Sequence, residues 1–234
     1  MNMQRVLPST EELVAETVCQ LEHRQVHDAD FSILGKFARS GTDVLDVGAN
    51  RGQSIVSLSL VTSGCRIHSF EANPMLHPVV KTVATLCQAT FHSYGLGDGN
   101  ATLPLYIPWA QGTCYLEEAS TSLEYFELPW VAAKFVARGG LELQPVDITI
   151  RIGDDLRLQP SLIKVDVEGS ELRVIRGLAQ TIREYTPALL VENSDWHNVT
   201  AFLKQLDYAP FMIVGDTYVP LAGECTNTLY LKNG

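Results

Sequence analysis

A chain of 234 residues with 46% hydrophobic side chains has material for one sizeable domain, and no apolar run approaches the roughly 20 residues that span a bilayer. A formal net charge of −10 disfavours nucleic acid as a partner, because a phosphate backbone demands a basic face. Five scattered cysteines (19, 65, 87, 114, 225) form no CxxC pair, so they suggest neither a zinc site nor a disulfide framework and read as small buried hydrophobes.

Met1 to Thr10 is polar and lacks the hydrophobic core of a signal peptide, so a cytoplasmic protein is expected. Residues 10–22 place Leu13, Val14, Thr17, Val18 and Leu21 at helical spacing, with Thr10 as cap and an acidic first turn. A second short helix, about 30–39, carries Phe31, Ile33, Leu34 and Phe37 and is stopped by Gly41. Residues 1–40 thus form an N-terminal helical addition that covers the core or a substrate pocket. Val44–Val47 is a short buried strand, and Gly48, Asn50 and Gly52 turn it into a helix over 52–62. Cys65–Glu71 is a second strand, Pro74 opens a helix to about Cys87, and Thr90–Gly95 is a third strand. Strands alternating with helices predict a parallel sheet covered on both faces.

Ala101–Ile107 has strand character, but residues 108–144 show no clean period and are rich in aromatics, among them Trp109, Tyr115, Tyr125, Phe126 and Trp130. With a helix near 129–138, this insertion reads as a substrate lid. Val146–Ile152 is extended and Leu162–Asp166 is a buried strand. A helix from Glu171 breaks and restarts before Pro187, Ala188–Glu192 is a strand, and Trp196–Leu206 is an amphipathic helix whose arginine-bearing predecessor (Arg173, Arg176, Arg183) presents a solvated face. Ala209–Val214 and Thr226–Leu231 are two last strands close enough to pair as a hairpin. No repeat or linker interrupts the chain, so a single domain is expected.

The glycine turn asks for a ligand. A dinucleotide turn needs a second glycine where Asn50 stands, because there the pyrophosphate touches backbone. S-adenosylmethionine fits the acidic residues better. Asp46 suits its amino group, directly or through water, and the helix start at Gln53 and Ser54 suits its carboxylate. Glu71 has two oxygens for two ribose hydroxyls, and Asp98 can accept from the adenine amine. Each of these acids follows a predicted strand, where open parallel sheets bind ligands.

Four segments together resemble the FkbM family of S-adenosylmethionine-dependent methyltransferases: Asp46-Val-Gly-Ala-Asn-Arg-Gly52, Phe70-Glu-Ala-Asn-Pro74, Gly95-Leu-Gly-Asp98 and, most specifically, Ile163-Lys-Val-Asp-Val-Glu-Gly169. The resemblance spans roughly residues 42–193. It implies a Rossmann-like α/β fold, a seven-stranded, mostly parallel sheet whose last strand is antiparallel, with helices on both faces. It also implies O-methylation of a small-molecule hydroxyl, on a sugar or natural product, and it brings Asn73 into the donor-binding set. A hydroxyl is a poor nucleophile, so the base is sought after the fourth and fifth strands: at Asp166 and Glu168, two apart around one strand end, and at Glu192, Asp195 and His197 after the next, with Asp166, Glu192 and His197 put first and Lys164 as a ready partner for Asp166. A divalent ion on Asp166 with Glu192 or Asp195 stays open, and His68, His77 and His92 show no metal-ligand spacing. The competing readings are a nicotinamide-dependent oxidoreductase and a non-catalytic binding module of the same fold.

Overall fold

The computed structural model describes residues 9–233, so the polar reading of residues 1–8 lies outside it. Helix α1 (Thr10–Glu22) is capped by Ser9 rather than Thr10: the Ser9 hydroxyl accepts the Glu12 amide while the Glu12 carboxylate accepts the Ser9 amide. A 3₁₀ helix (Ala29–Lys36) takes the place of the second expected helix and buries Phe31, Ile33 and Leu34.

The main sheet holds β1 (Asp43–Val47), β2 (Arg66–Phe70), β3 (Thr90–His92), β8 (Pro160–Val165), β9 (Ala188–Glu192), β10 (Tyr208–Val214), β11 (Thr217–Pro220) and β12 (Asn227–Lys232). Their order is β11-β10-β12-β9-β8-β1-β2-β3. The run β9-β8-β1-β2-β3 is parallel, and β12 enters antiparallel between β9 and β10, as expected for the last strand. The two last strands do pair, but not as a direct hairpin. Gly215, with φ +58°, turns β10 into β11, an exposed eighth strand that the reading missed because its four residues bury no face.

Alternate residues of the central strands supply two cores. Leu45, Ile163 and Leu189 face Val174 and Ile175 of α5 (Glu171–Gly177), Ile182 of α6 (Ala179–Tyr185) and Val199 and Leu203 of α7 (Trp196–Gln205). Val44, Leu162 and Leu190 face the 3₁₀ helix and Leu58 of α2 (Gln53–Val61). Helix α3 (His77–Leu86) and α1 pack together with α2 on that second side. Side chains buried on both faces explain the short apolar runs seen in the sequence.

The stretch 90–95 divides, because β3 ends at His92 and β4 (Gly95–Gly97) starts a second sheet with β5 (Ala101–Ala110), β6 (Thr113–Cys114) and β7 (Glu142–Ile152), ordered β4-β7-β5-β6. Nine residue pairs join β5 to β7, from Ala101↔Ile150 to Trp109↔Glu142. The supposed irregular insertion is therefore shorter, residues 111–141, and it carries α4 (Pro129–Ala137) near the expected place. The arms read in the sequence as Ala101–Ile107 and Val146–Ile152 are thus each longer, and Pro108 and Pro145 hid the added ends, since proline inside a run argues against a paired strand. Of the five cysteines, all free, only Cys114 is buried. Among the described residues no helix is long and apolar enough to cross a membrane.

Candidate active site

Parallel register sets the site. Val47 lies opposite Phe70 on one side and Val165 on the other, so the chain leaves β1, β2 and β8 at one edge of the sheet. Gly48, Glu71 and Asp166 follow those ends and line a common cleft of about 310 Å³.

The glycine turn is built by positive φ at Gly48 (+84°), Asn50 (+50°) and Gly52 (+89°). Its amides are largely spent within the protein. Gly48 and Ala49 donate to the Phe70 carbonyl at 2.9 and 3.0 Å, Gly52 donates to Ala49, and Asn50 donates to Glu71 Oε2 at 2.8 Å. Those amides are thus committed, which weighs against a pyrophosphate lying on the turn. The expectation for Gln53 and Ser54 is corrected too, for neither lines the cleft. The Ser54 hydroxyl turns inward to Asp46 Oδ2 at 2.9 Å, and Gly52 packs so closely on Val83 that an added Cβ would stand 2.9 Å from it. Asp46 itself is fully buried beneath the turn and does not line the cleft.

Glu71 and Asn73 do line the cleft. Glu71 Oε1 accepts the Asn73 amide at 2.7 Å, so each carboxylate oxygen is fixed by one backbone N–H and keeps acceptor capacity. Burial pushes this carboxyl up from an ordinary 4.5 to about 7, against the opposing pull of the two amides and Lys164. Asn50 Oδ1 and Asn73 Nδ2 are buried without hydrogen-bond partners, one acceptor and one donor beside Glu71. Such orphans are costly, and they fit a ligand rich in hydroxyls and polar nitrogens. Asp98 is exposed at the rim, between β4 and Ala101. Opposite stands an apolar wall: Leu103 and Leu105 of β5, Ile148 and Ile150 of β7. The period-2 alternation of these residues was the available signal for that wall, obscured by the prolines.

On the other flank, buried Lys164 gathers charges. Its ammonium lies 3.4 Å from Asp46 Oδ1, 3.4 Å from Asp166 Oδ2 and 2.5 Å from the Gly48 carbonyl. The nearby acids keep Lys164 charged, raising it above an ordinary lysine despite burial. Asp166 and Glu168 line the cleft; Glu192 stands off its wall but in electrostatic contact with both. Burial, then Asp166 and Glu168, lift Glu192 to about 8. The insertion docks here. The Ser120 hydroxyl donates to the Glu168 carbonyl, the Thr121 and Ser170 hydroxyls meet at 2.7 Å, and Tyr125 lies beside Gly169, 3.5 Å from where a Cβ would stand. Glu117, Thr121 and Arg173 also line the cleft, and sequence reasoning gave them no such role.

His197 is brought elsewhere. It starts α7, whose buried face is Val199, Thr200 and Leu203, so its ring projects to solvent. It is 77% exposed and pairs with Glu224 Oε1 at 2.8 Å in a separate shallow groove. Asp195 is the cap of α7, bonded to Asn198. Among the described residues no group of three His, Cys, Asp or Glu side chains is arranged to hold a metal ion.

The family model described as the methyltransferase FkbM domain matches residues 46–210. Among solved structures, 97% of the chain is similar to methyltransferase FkbM from Methylobacillus flagellatus KT, at 19% identity and a TM-score of 0.55, and spans 56% of that longer protein. Precorrin-6y C5,15-methyltransferase from Geobacter metallireducens GS-15 is similar over 94% of this chain and 84% of its own, at 12% identity and a TM-score of 0.43. The O-methyltransferase TomG from Streptomyces achromogenes is similar over 98% and 92%, at 11% identity and 0.43. No curated protein matches the sequence.

Proposed function

This chain belongs to the FkbM methyltransferase family, and from that premise we propose that it methylates a hydroxyl of a small-molecule acceptor with S-adenosylmethionine as donor. The observation that carries the reading is Glu71. Its carboxylate ends β2 at the cleft wall, and both oxygens are pre-set by backbone amides at 2.8 and 2.7 Å. That arrangement suits two vicinal ribose hydroxyls, with orphaned Asn50 and Asn73 atoms at hand for the rest of the nucleoside. Leu103, Leu105, Ile148 and Ile150 would flank the adenine, and Asp98 at the rim would accept from its amine. Lys164 and Asp46 hold the Gly48 carbonyl and the turn in place beneath the methionine portion.

When bound, the donor supplies an electrophilic methyl carbon on a sulfonium. The chain's own task is to hold an acceptor oxygen in line with that carbon and to relieve it of its proton. Asp166 and Glu168 on the facing wall, with Glu192 behind them, support a hydroxyl acceptor, which needs a base. The docked insertion, through Thr121 and Glu117, roofs this end and excludes water.

The test is direct. Calorimetry should show one S-adenosylmethionine site, and the small-molecule fraction of a cell extract, incubated with labelled donor, should yield a product in which methyl replaces a hydroxyl hydrogen. Absence of donor binding, or label found only on nitrogen or carbon, would reject the assignment.

A further inference from the structure

Resting on that reading, we propose that Glu168 is the catalytic residue that takes the proton of the acceptor hydroxyl, while Asp166 serves as the fixed counter-ion of Lys164. Lys164 has three N–H donors, and three oxygens surround them: Asp46, Asp166 and the Gly48 carbonyl. Asp166 is thereby held against a cation. Among the described residues no ion pair engages Glu168, although it lines the same cleft.

The backbone of Glu168 supports the distinction. Its φ of +50° is the left-handed region that a glutamate seldom occupies, and Gly169 follows at +97°. Strain of this kind persists where the surroundings over-determine it. Here the surroundings are the insertion: Ser120 fixes the Glu168 carbonyl, Thr121 meets Ser170, and Tyr125 lies against Gly169. The lid thus reaches the base through its main chain, and acceptor enclosure and base placement share one set of contacts.

The charged neighbours of Glu168 come from every side. They are Asp166 on its own turn, Glu171 on α5, Glu118 on the insertion and Glu192 at the end of β9, with the neutral Tyr125 hydroxyl of the insertion beside them. Burial, then Asp166, raise the Glu168 carboxyl to about 7, whereas the Tyr125 hydroxyl lowers it. Burial pushes Tyr125 itself well above an ordinary phenol, so it stays neutral. A base poised near neutrality suits this task.

The step balances. The acceptor O–H bond breaks and its proton passes to a Glu168 oxygen. An O–C bond forms to the methyl carbon, and the C–S bond breaks with its electron pair leaving on sulfur. The products are a methyl ether, a neutral thioether and a protonated Glu168, which returns its proton to water.

Glu168→Gln should bind S-adenosylmethionine within about twofold of the wild type, yet transfer methyl groups to the small-molecule fraction of a cell extract about 100-fold more slowly. The wild-type rate should rise with pH through about 7, and Glu168→Gln should lose that limb. Glu168→Ala should recover turnover when formate is added. Independently of any acceptor, an infrared titration of the protein saturated with S-adenosylhomocysteine should show a protonated-carboxyl band near neutral pH that Glu168→Gln lacks. Wild-type turnover in Glu168→Gln, or an unchanged band and pH limb, would overturn the assignment. A wild type that binds no S-adenosylmethionine would instead overturn the methyltransferase reading.

Discussion

A Cβ built on Gly48 would lie 1.7 Å from the carbonyl oxygen of Asp166. The glycine turn after β1 and the Asp166 turn after β8 therefore meet backbone to backbone, and only a residue without a side chain lets them. Gly48 also sits at φ +84°, which an L side chain resists. Overpacking and the left-handed backbone together predict that Gly48→Ala loses about 3 kcal/mol, or about 6–12 °C of melting temperature. Donor affinity should fall with it. A thermal scan with and without S-adenosylmethionine checks both, and an alanine variant as stable as the parent would mean that this contact yields easily.

Glu71→Gln keeps the shape but brings an NH₂ to face one of the two backbone amides that donate to this carboxylate. Hydrogen bonds to a charged group are worth about 1.5–3 kcal/mol, so donor binding should weaken about 10–100-fold. In the wild type, donor affinity should strengthen as pH rises through about 7, because only the ionised carboxylate is purely an acceptor. Calorimetry at several pH values decides this, and equal affinity for parent and variant at pH above 7 would remove Glu71 from the site.

Lys164→Met should be strongly destabilising, because Lys164 is buried among acids. Asp46 has no solvent access and depends on Lys164 and Ser54. Removing one partner of a buried pair typically costs about 3–5 kcal/mol. Adding Asp46→Asn should recover part of that loss, since the uncompensated charge goes with it. Urea unfolding of the single and double variants measures the effect, and a double variant no better than Lys164→Met would place the cost in lost packing.

The legible part of this protein was what alternation and lone acids reveal. Asp46, Glu71 and Asp166 each end a run too apolar to hide a carboxylate cheaply, and all three lie at the predicted sheet edge. What stayed hidden depends on three-dimensional neighbours. Asp46 and Asp166 look alike in sequence, but one is sealed below the turn and the other lines the cleft. Likewise, His197 had suitable chemistry, but the buried face of α7 rotates it outward. The role proposed for Glu168 rests on the absence of an ion pair to it among the described residues and on the insertion's grip on its main chain, and neither is written in local pattern.

Unliganded stability should fall between about pH 6.5 and 8.5. Glu71 and Glu168 titrate near 7 and Glu192 near 8 in the folded chain, all raised chiefly by burial from an ordinary 4.5. The folded state then binds more protons than the unfolded state between those values, so its advantage is full below the unfolded pKa and is lost as pH rises through the folded one. His27, His68, His77 and His92 work the other way, because burial lowers them and they resist charging in the fold. Their effect is confined to pH below about 6.5, where the unfolded histidines gain protons first. Above that point the carboxyls govern the slope, and Glu192→Gln should lessen the decline across the whole range and leave little of it above about pH 7.5, where Glu71 and Glu168 are already mostly ionised. Melting temperatures across that range provide the measurement, and a flat or rising profile in the wild type would mean that these three carboxyls ionise in the fold as readily as in water.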